Sequence, residues 1–420
     1  MHPVLETAFL RAQHLDKWFW IFFGIFLSLQ LYWRTILEWD YLVYALNGDW
    51  FCGEKVFFEF LRPPLPSFLH CVFGATDFSP FLVVLFSCIL YFIGVILFFD
   101  LHAKTEKINP FYFSAFSFLF PTILIHSNAG GDILALGLLL IAYSIEGVFF
   151  KGLFFGLSTL SRYNYFFFLP ILLLQKKWRA WPIIFLGIFI IWSPWLYYNF
   201  SQVGDPLFSV SESIALNVQQ KGILQPFSIM DMVLVVFFGV STLLAFLSRS
   251  LGRLPFSWGV ITIIQYWFSG IKETRFLISL VPLQALFLSR FVVQFPKWEK
   301  IMAGLLLVCL LVNGYLLFYY ITNPYRVDVP TDPFLYNCRV LTDKWVHFYE
   351  EGIIAEPLPP PNDWMGAVQR GNHLVIYRRE GYSPDLFSSF ETIDRGSYII
   401  VKSNACVKPS LSFISNVWKG

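Results

Sequence analysis

The chain has 420 residues, 56% of them hydrophobic, 20% aromatic and only 14% charged. Water-soluble domains carry about a quarter charged residues, so the composition argues against a soluble globule. The net charge of +2 makes no case for a nucleic-acid partner.

Long apolar runs alternate with short basic clusters, the pattern of a polytopic membrane protein. Runs long enough to cross a bilayer lie near 18–37, 81–100, 109–126, 131–149, 182–200, 229–247, 257–271, 275–293 and 301–320. The first is followed by an acidic loop with no small-residue cleavage site, so it reads as a retained span. The stretch 152–174, "GLFFGLSTLSRYNYFFFLPILLL", is equally apolar but carries Arg162 at its centre. Two short half-helices with Arg162 at their tip fit it better than one span, because a charge at mid-bilayer is costly. Irregular backbone at that depth is tolerated where it lines a protein cavity.

Lys and Arg set the orientation. With Arg11 and Lys17 inside, the basic loops at 101–108, 175–181, 248–256 and 294–300 all fall inside. The loop 38–80, the turn "HSNAGGD" (126–132), the loop 200–228 and "GIKETRF" (270–276) then meet on the outer face, with Arg162. The expected organisation is a membrane region over 1–320 and a small extracytoplasmic α+β domain over 321–420. In the latter, "LTDKWVHFYEEG" reads as helix, "HLVIYRRE" and "GSYIIVKS" as strands, and "EPLPPPND" as a linker-like break.

The outer loop is heavily charged for such a chain. It opens "EWDYLVYALNGDW", with Glu38, Asp40 and Asp49. Asp40 lies between Trp39 and Tyr41, which can exclude water and hold a carboxylate ready to accept a proton from a hydroxyl. The plainer reading is a solvated acid at the membrane surface. Arg62, Arg162, Lys272 and Arg275 share the outer face, and a guanidinium fork suits phosphate. For Arg62 and Lys272 the plainer reading is a cation snorkelling to the headgroups. Glu273 is placed to neutralise Lys272. Asp132 opens a helix, where the dipole favours a carboxylate, and Gly130 and Gly131 before it allow close backbone approach. Gly204-Asp205-Pro206 signals a turn, and Asn199-Phe200-Ser201 fits a glycosylation sequon. Cys88 and Cys309 read as small buried hydrophobes. Cys338 and Cys406 can pair if their region is extracytoplasmic. No metal-type Cys/His pattern occurs, although the loop acids leave room for a divalent cation.

Taken together, these segments resemble the GT-C superfamily of membrane glycosyltransferases, which use polyprenyl-phosphate-linked sugars. Relatives of that kind include protein O-mannosyltransferases, lipid A aminoarabinose transferase and dolichol-dependent mannosyltransferases. The resemblance rests on the acid after the first span followed by "RPPLPSFL", on "GGDILALGLLLIAYSI", on "GLSTLSRYNYFFFLP", on "PWLYYNFSQVGDPLFS" and on "KETRFLISLVPL". It implies a polytopic GT-C-like helical fold of about 9–11 spans with a broken or re-entrant pair. It implies Asp40 as the catalytic acid-base residue, and Arg162, Lys272 and Arg275 near the donor phosphate. Glu38, Asp49, Arg62, Asp132 and Glu273 would support them. Many relatives carry an Asp-Glu pair here. In this chain Asp40 is followed by Tyr41, with Glu38 two positions before, so that Asp40 acts alone or with Glu38 or Asp49.

The implied function is transfer of a sugar, mannose or another hexose or pentose, to an acceptor hydroxyl with inversion. No cofactor is required, and the partners are the lipid donor, a glycan, lipid or protein acceptor, and membrane lipids. The location is a prokaryotic plasma membrane or, alternatively, the endoplasmic reticulum, with the N-terminus cytoplasmic and the site extracytoplasmic. The alternative function is a transporter or flippase for a lipid-linked or anionic substrate.

Overall fold

The structure is a computed structural model that describes residues 16–33, 39–53, 57–74, 79–120, 131–219, 253–268, 274–322, 327–377, 382–408 and 412–413. The expected span at 229–247 lies outside the described residues. The helices are α1 (Lys17–Trp33), α2 (Trp39–Phe51), α3 (Pro64–Phe73), α4 (Ser79–Ala103), α5 (Pro110–Leu119), α6 (Asp132–Ser144), α7 (Val148–Ser161), α8 (Leu169–Leu174) and α9 (Trp181–Val203). They continue as α10 (Phe208–Gln219), α11 (Arg253–Phe268), α12 (Val281–Gln294), α13 (Glu299–Thr322), α14 (Trp345–Glu350) and α15 (Trp364–Gln369). The strands are β1 (Phe57–Phe58), β2 (Val340–Thr342), β3 (Ala355–Pro357), β4 (His373–Ile376), β5 (Glu391–Asp394), β6 (Ile399–Lys402) and β7 (Ser412–Phe413).

Among the described residues, four helical stretches are long and apolar enough to cross a membrane: Phe81–Ala103, Trp178–Val203, Leu277–Gln294 and Pro296–Tyr315. They coincide with the apolar runs at 81–100, 182–200, 275–293 and 301–320. The remaining described runs form shorter helices, such as α1 with 17 residues and α6 with 13. The outer surface is itself apolar. Ile183, Leu186 and Phe189 on α9 and Leu307, Leu311 and Phe318 on α13 are exposed, a distribution that suits lipid rather than water.

Several helix starts follow local chemistry. Asn109 caps α5 by accepting from the amides of Phe111 and Tyr112, with Pro110 at the first helical position. Helix α3 likewise has a proline, Pro64, at its first helical position, but no side chain caps it. Inside the bundle, α4 and α6 touch through backbone. A Cβ on Gly137 would lie 2.6 Å from the amide nitrogen of Tyr91, and one on Gly94 would lie 2.7 Å from the Gly137 carbonyl oxygen. Small residues at such crossings let membrane helices approach closely.

The stretch around Arg162 is a hairpin. Helix α7 stops at Ser161, and Arg162 is extended at φ −153° and ψ 113°. The chain returns through a 3-10 turn, Tyr163–Phe168, and α8. The outgoing arm of 14 residues spans about 21 Å, and the return arm of six 3-10 and six α residues spans about the same. The Lys151 Nζ donates to Gln175 Oε1 at 2.8 Å, so the two arms close at one level. It also donates to the carbonyls of Ala142 and Tyr143, capping α6.

The C-terminal region forms a five-stranded mixed sheet in the order β3-β2-β4-β6-β5. Strand β2 runs parallel to both β3 and β4, while β6 is antiparallel to both β4 and β5. Alternation along the strands feeds two cores, with Val340, Val375 and Ile400 on one face and Leu341, Leu374, Ile376, Ile399 and Val401 on the other. The two strand-like segments become β4 and β6. The helix-like one splits into β2 and the six-residue α14. The linker-like "EPLPPPND" is a correction to the sequence reading: its first residues belong to β3, paired to β2 within the sheet. The disulfide Cys338–Cys406 is formed.

Gly137→Ala should lower unfolding stability in detergent by about 1–3 kcal/mol, since the new methyl meets Tyr91 backbone that no rotamer change can move. Thermal unfolding of the intact chain measures it.

Candidate functional site: a buried charge ladder under the first outer helix

Helix α2 lies between two hydrophobic bodies. Tyr41 and Trp50 pack with the helical bundle, while Leu42 and Val43 join one core of the C-terminal sheet, beside Trp345, Val346 and Phe348. The short strand β1 pairs with β7, tying the first loop to the chain's end a second time. A disulfide, Cys52–Cys71, straps the end of α2 to α3.

Asp40 sits in the first turn of α2, where the helix dipole favours a carboxylate. It is 8% exposed. Arg62 reaches it from the turn after β1, with Nη1 2.7 Å from Oδ1. The Arg62 Nε donates to Glu59 Oε2 at 3.2 Å. From the hairpin tip, Arg162 Nη2 lies 3.9 Å from Asp40 Oδ2 and pairs closely with Asp132 Oδ2. The result is a ladder of alternating sign: Glu59, Arg62, Asp40, Arg162, Asp132. Residues distant in sequence are brought to one point by α2, its following loop, the hairpin and the start of α6.

Two side chains position this ladder. Asn47, two turns along α2 from Asp40, holds the Glu59 backbone at both ends. Its Nδ2 donates to the Glu59 carbonyl at 2.9 Å, and its Oδ1 accepts from the Glu59 amide at 2.8 Å. Tyr44, one turn from Asp40 and on the same face, is fully buried among the charges. Burial pushes the Tyr44 phenol up, against the pull of Arg162 and Arg62. Burial likewise raises Glu59, although Arg62 opposes it. For Arg62, burial works against the charged form, but Asp40 and Glu59 outweigh it and hold the guanidinium above its ordinary range.

The sequence-derived residues divide clearly. Asp40, Arg62, Arg162 and Asp132 come together. Arg62 is not a snorkelling cation but an ion-pair partner of two acids. Asp132 follows the N-cap Gly131 and turns its carboxylate to Arg162 rather than capping the helix. Asp49 is nine positions beyond Asp40, about half a turn away around the helix, and exposed. Asp49 therefore lies apart from Asp40, whereas Glu59 is linked to Asp40 through Arg62. Glu38, Lys272, Glu273 and Gly130 lie outside the described residues, and Arg275 is described only through its backbone at the start of the 3-10 helix Thr274–Leu280.

Asn199 does not offer a glycosylation site. It is buried, donates to the Trp195 carbonyl at 2.8 Å and accepts from the Ser209 amide at 3.3 Å. The Gly204 turn is as expected, with Gly204 at φ 78° ending α9. Cys88 and Cys309 are buried and free. Among the described residues, no group of three or more His, Cys, Asp or Glu is placed to hold a metal.

No family model, curated protein or solved structure matches this chain.

His70 on α3 packs edge-on against Tyr41, with ring centroids 5.0 Å apart. Burial pushes it from 6.5 down to about 4. The unfolded chain therefore takes up the proton first as pH falls. The contribution of His70 to stability is full above pH 6.5 and is lost progressively as pH falls toward 4, by about 3 kcal/mol. Unfolding of His70→Gln measured across this window should lack that slope.

Proposed function

We propose that the chain is a multi-pass membrane glycosyltransferase of the GT-C type, transferring sugar from a polyprenyl-phosphate donor to an acceptor hydroxyl at the extracytoplasmic face. The observation that carries this reading is Asp40. It lies in the first turn of the helix after the first apolar helix, is buried, and is held between a guanidinium of its own loop and one at the tip of a broken hairpin. A site of this kind joins a proton acceptor to positive charge at a surface that a lipid-borne phosphate could reach from the bilayer.

In the proposed reaction, the acceptor oxygen attacks the anomeric carbon and its proton passes to the Asp40 carboxylate. The bond from the anomeric carbon to the phosphate oxygen breaks, and the electron pair leaves with the polyprenyl phosphate. Arg162 faces that developing charge. A single displacement inverts the anomeric centre. Arg62 fixes the Asp40 rotamer, and Glu59 and Asn47 fix Arg62.

The two disulfides support the assignment to an outer face. Cys52–Cys71 lies in the first loop and Cys338–Cys406 in the domain that covers it, and such bonds persist in oxidising compartments. The basic clusters at 101–108 and 175–181 would then be cytoplasmic, in accord with the positive-inside rule.

The test uses membranes containing the intact chain or Asp40→Asn, supplied with a panel of polyprenyl-phosphate sugars and followed by mass spectrometry. Asn is isosteric, and each arginine keeps a second acid, Glu59 or Asp132. The variant should therefore fold and bind donor while losing about 10²–10⁴-fold in release of polyprenyl phosphate. Equal release by both forms would exclude Asp40 as the base, and no release from any donor by folded protein would count against the transferase reading.

A further inference from the structure

The cations of this chain are sorted by place. At the ladder, Arg62 and Arg162 are both paired with acids. At the opposite end of the bundle, Lys177, Arg179, Lys297 and Lys300 are exposed and pair with no acid among the described residues. A chain of contacts shows that these four share one end. Lys151 joins Gln175, just before Lys177, to the last carbonyls of α6, and the Tyr143 ring stacks on His102 at the end of α4. Glu106 then pairs with Arg290 of α12, and the Tyr112 hydroxyl donates to the Glu299 carbonyl, where α13 starts, at 3.5 Å. Helix α6, with 13 residues and so about 20 Å long, separates this end from Asp132 and the ladder. The segments 100–107, 146–151, 175–181 and 290–300 carry nine Lys and Arg against four Asp and Glu, so the end is positive overall.

Two turns at this end are built alike. Before α9, a 3-10 turn over Trp178–Ala180 closes with the Ala180 amide on the Lys177 carbonyl at 2.9 Å. Before α13, a 3-10 turn over Pro296–Trp298 closes with the Trp298 amide on the Phe295 carbonyl at 2.9 Å. Each sets a tryptophan among cations, Lys177-Trp178-Arg179 and Lys297-Trp298-Glu299-Lys300. Both indoles are bare, Trp178 at 69% and Trp298 at 46% exposed, and the Arg179 guanidinium lies 5.7 Å from the Trp178 ring centroid. Trp181 fixes the first turn to the hairpin, donating its Nε1 to the Leu173 carbonyl at 3.0 Å. Each turn also opens one of the two apolar stretches that the protein holds least. Only 28% of the stretch from Trp178 and 17% of that from Pro296 is buried, against 56% and 89% for the other two.

We infer that these two turns form a surface for anionic phospholipid headgroups, in the leaflet opposite the ladder. Bare indoles directly before lipid-facing helices belong at headgroup level. Unpaired Lys and Arg beside them attract anionic lipid in preference to zwitterionic lipid. The contact sets the height of two helices that few protein neighbours fix. It needs the chain to sit in a membrane and does not depend on the transferase reading.

The test is lipid binding, with no turnover. The full chain in detergent is titrated with phosphatidylglycerol or phosphatidylcholine, and bound lipid is counted by native mass spectrometry. The intact chain should retain phosphatidylglycerol in preference. Lys177→Gln with Arg179→Gln, and Lys297→Gln with Lys300→Gln, should each weaken that preference about tenfold. Arg370→Gln, which removes an exposed cation of the C-terminal domain, should leave it unchanged. Raising the salt should erode the preference of the intact chain, a reading that stands without any variant. Soluble glycerol phosphate should not compete, because it brings nothing to the indoles or the apolar helix faces. Equal retention of the two lipids, a preference untouched in both double variants or by salt, an equal loss in Arg370→Gln, or full competition by glycerol phosphate overturns the inference. Failure of every sugar donor to react would sink the transferase reading and leave this surface standing.

Discussion

A guanidinium at the tip of an apolar hairpin has to be met by carboxylate, and much of this molecule is arranged around that need. Arg162 and Asp132 are both nearly shut off from water, with side chains 11% and 4% exposed. In such surroundings an unpaired charge costs several kcal/mol, and removing one partner leaves the other uncompensated. The pairing therefore fixes where the hairpin tip sits relative to the start of α6, and hence where α7 packs on α6. The other end of the same hairpin is fixed in the same currency, by Lys151 donating to the exposed carbonyls of α6 and to Gln175. Two cations, one at each end, hold a broken helix that its apolar side chains alone would not orient.

The second arginine extends this logic outward. Arg62 belongs to a loop that contains charge, two prolines and little regular structure, yet Asn47 clamps that loop to α2 through both polar atoms of a backbone unit. The disulfide Cys52–Cys71 and the close packing of α3 beneath α2 complete the fastening. The C-terminal sheet then closes over the opposite side of α2 with Leu335, Trp345 and Phe348. The helix that follows the first apolar helix thus becomes the seam between bundle and cap, and the charge density of the loop is explained by the seam's need for buried, paired groups.

How much of this could be read beforehand depended on whether a signal was local. Arg162 interrupts an apolar run, and a charge in that position forecasts a break; the break is where it was expected. The strands at 373–376 and 399–402 are equally legible, because short runs of apolar residues, β-branched ones among them, between turn signals read as buried strands without knowing the partner strand. Pairing was not legible. Nothing in the sequence says that Arg62 meets both Asp40 and Glu59, since that requires the fold of the intervening loop. Asp49 looked as good a partner as any until helical phase placed it on the far face. Tyr44 and Asn47 were passed over as ordinary members of "YALNGDW", although their offsets of four and seven from Asp40 put them on its face once α2 is known to be helical. Cys52 and Cys71 carry no spacing motif, and only the packing of α3 against the end of α2 brings them together. Asn199 showed the reverse error, since a motif that reads as surface chemistry is satisfied by buried hydrogen bonds.

The charge balance of the ladder constrains any chemistry assigned to it. Three carboxyl groups face two guanidiniums, so with every group ionised the cluster is an anion; burial raises Glu59, against the pull of Arg62. Each arginine is thus shared between two acids, and the cluster has no surplus of positive charge. The geometry also separates the two halves of the ladder. At the Asp132 end Arg162 has one close acid and Asp40 at 3.9 Å, while at the Glu59 end Arg62 is shared by two acids, at 2.7 and 3.2 Å, an arrangement suited to holding a carboxylate in place. Asp40 lies at the junction, the one group within reach of both.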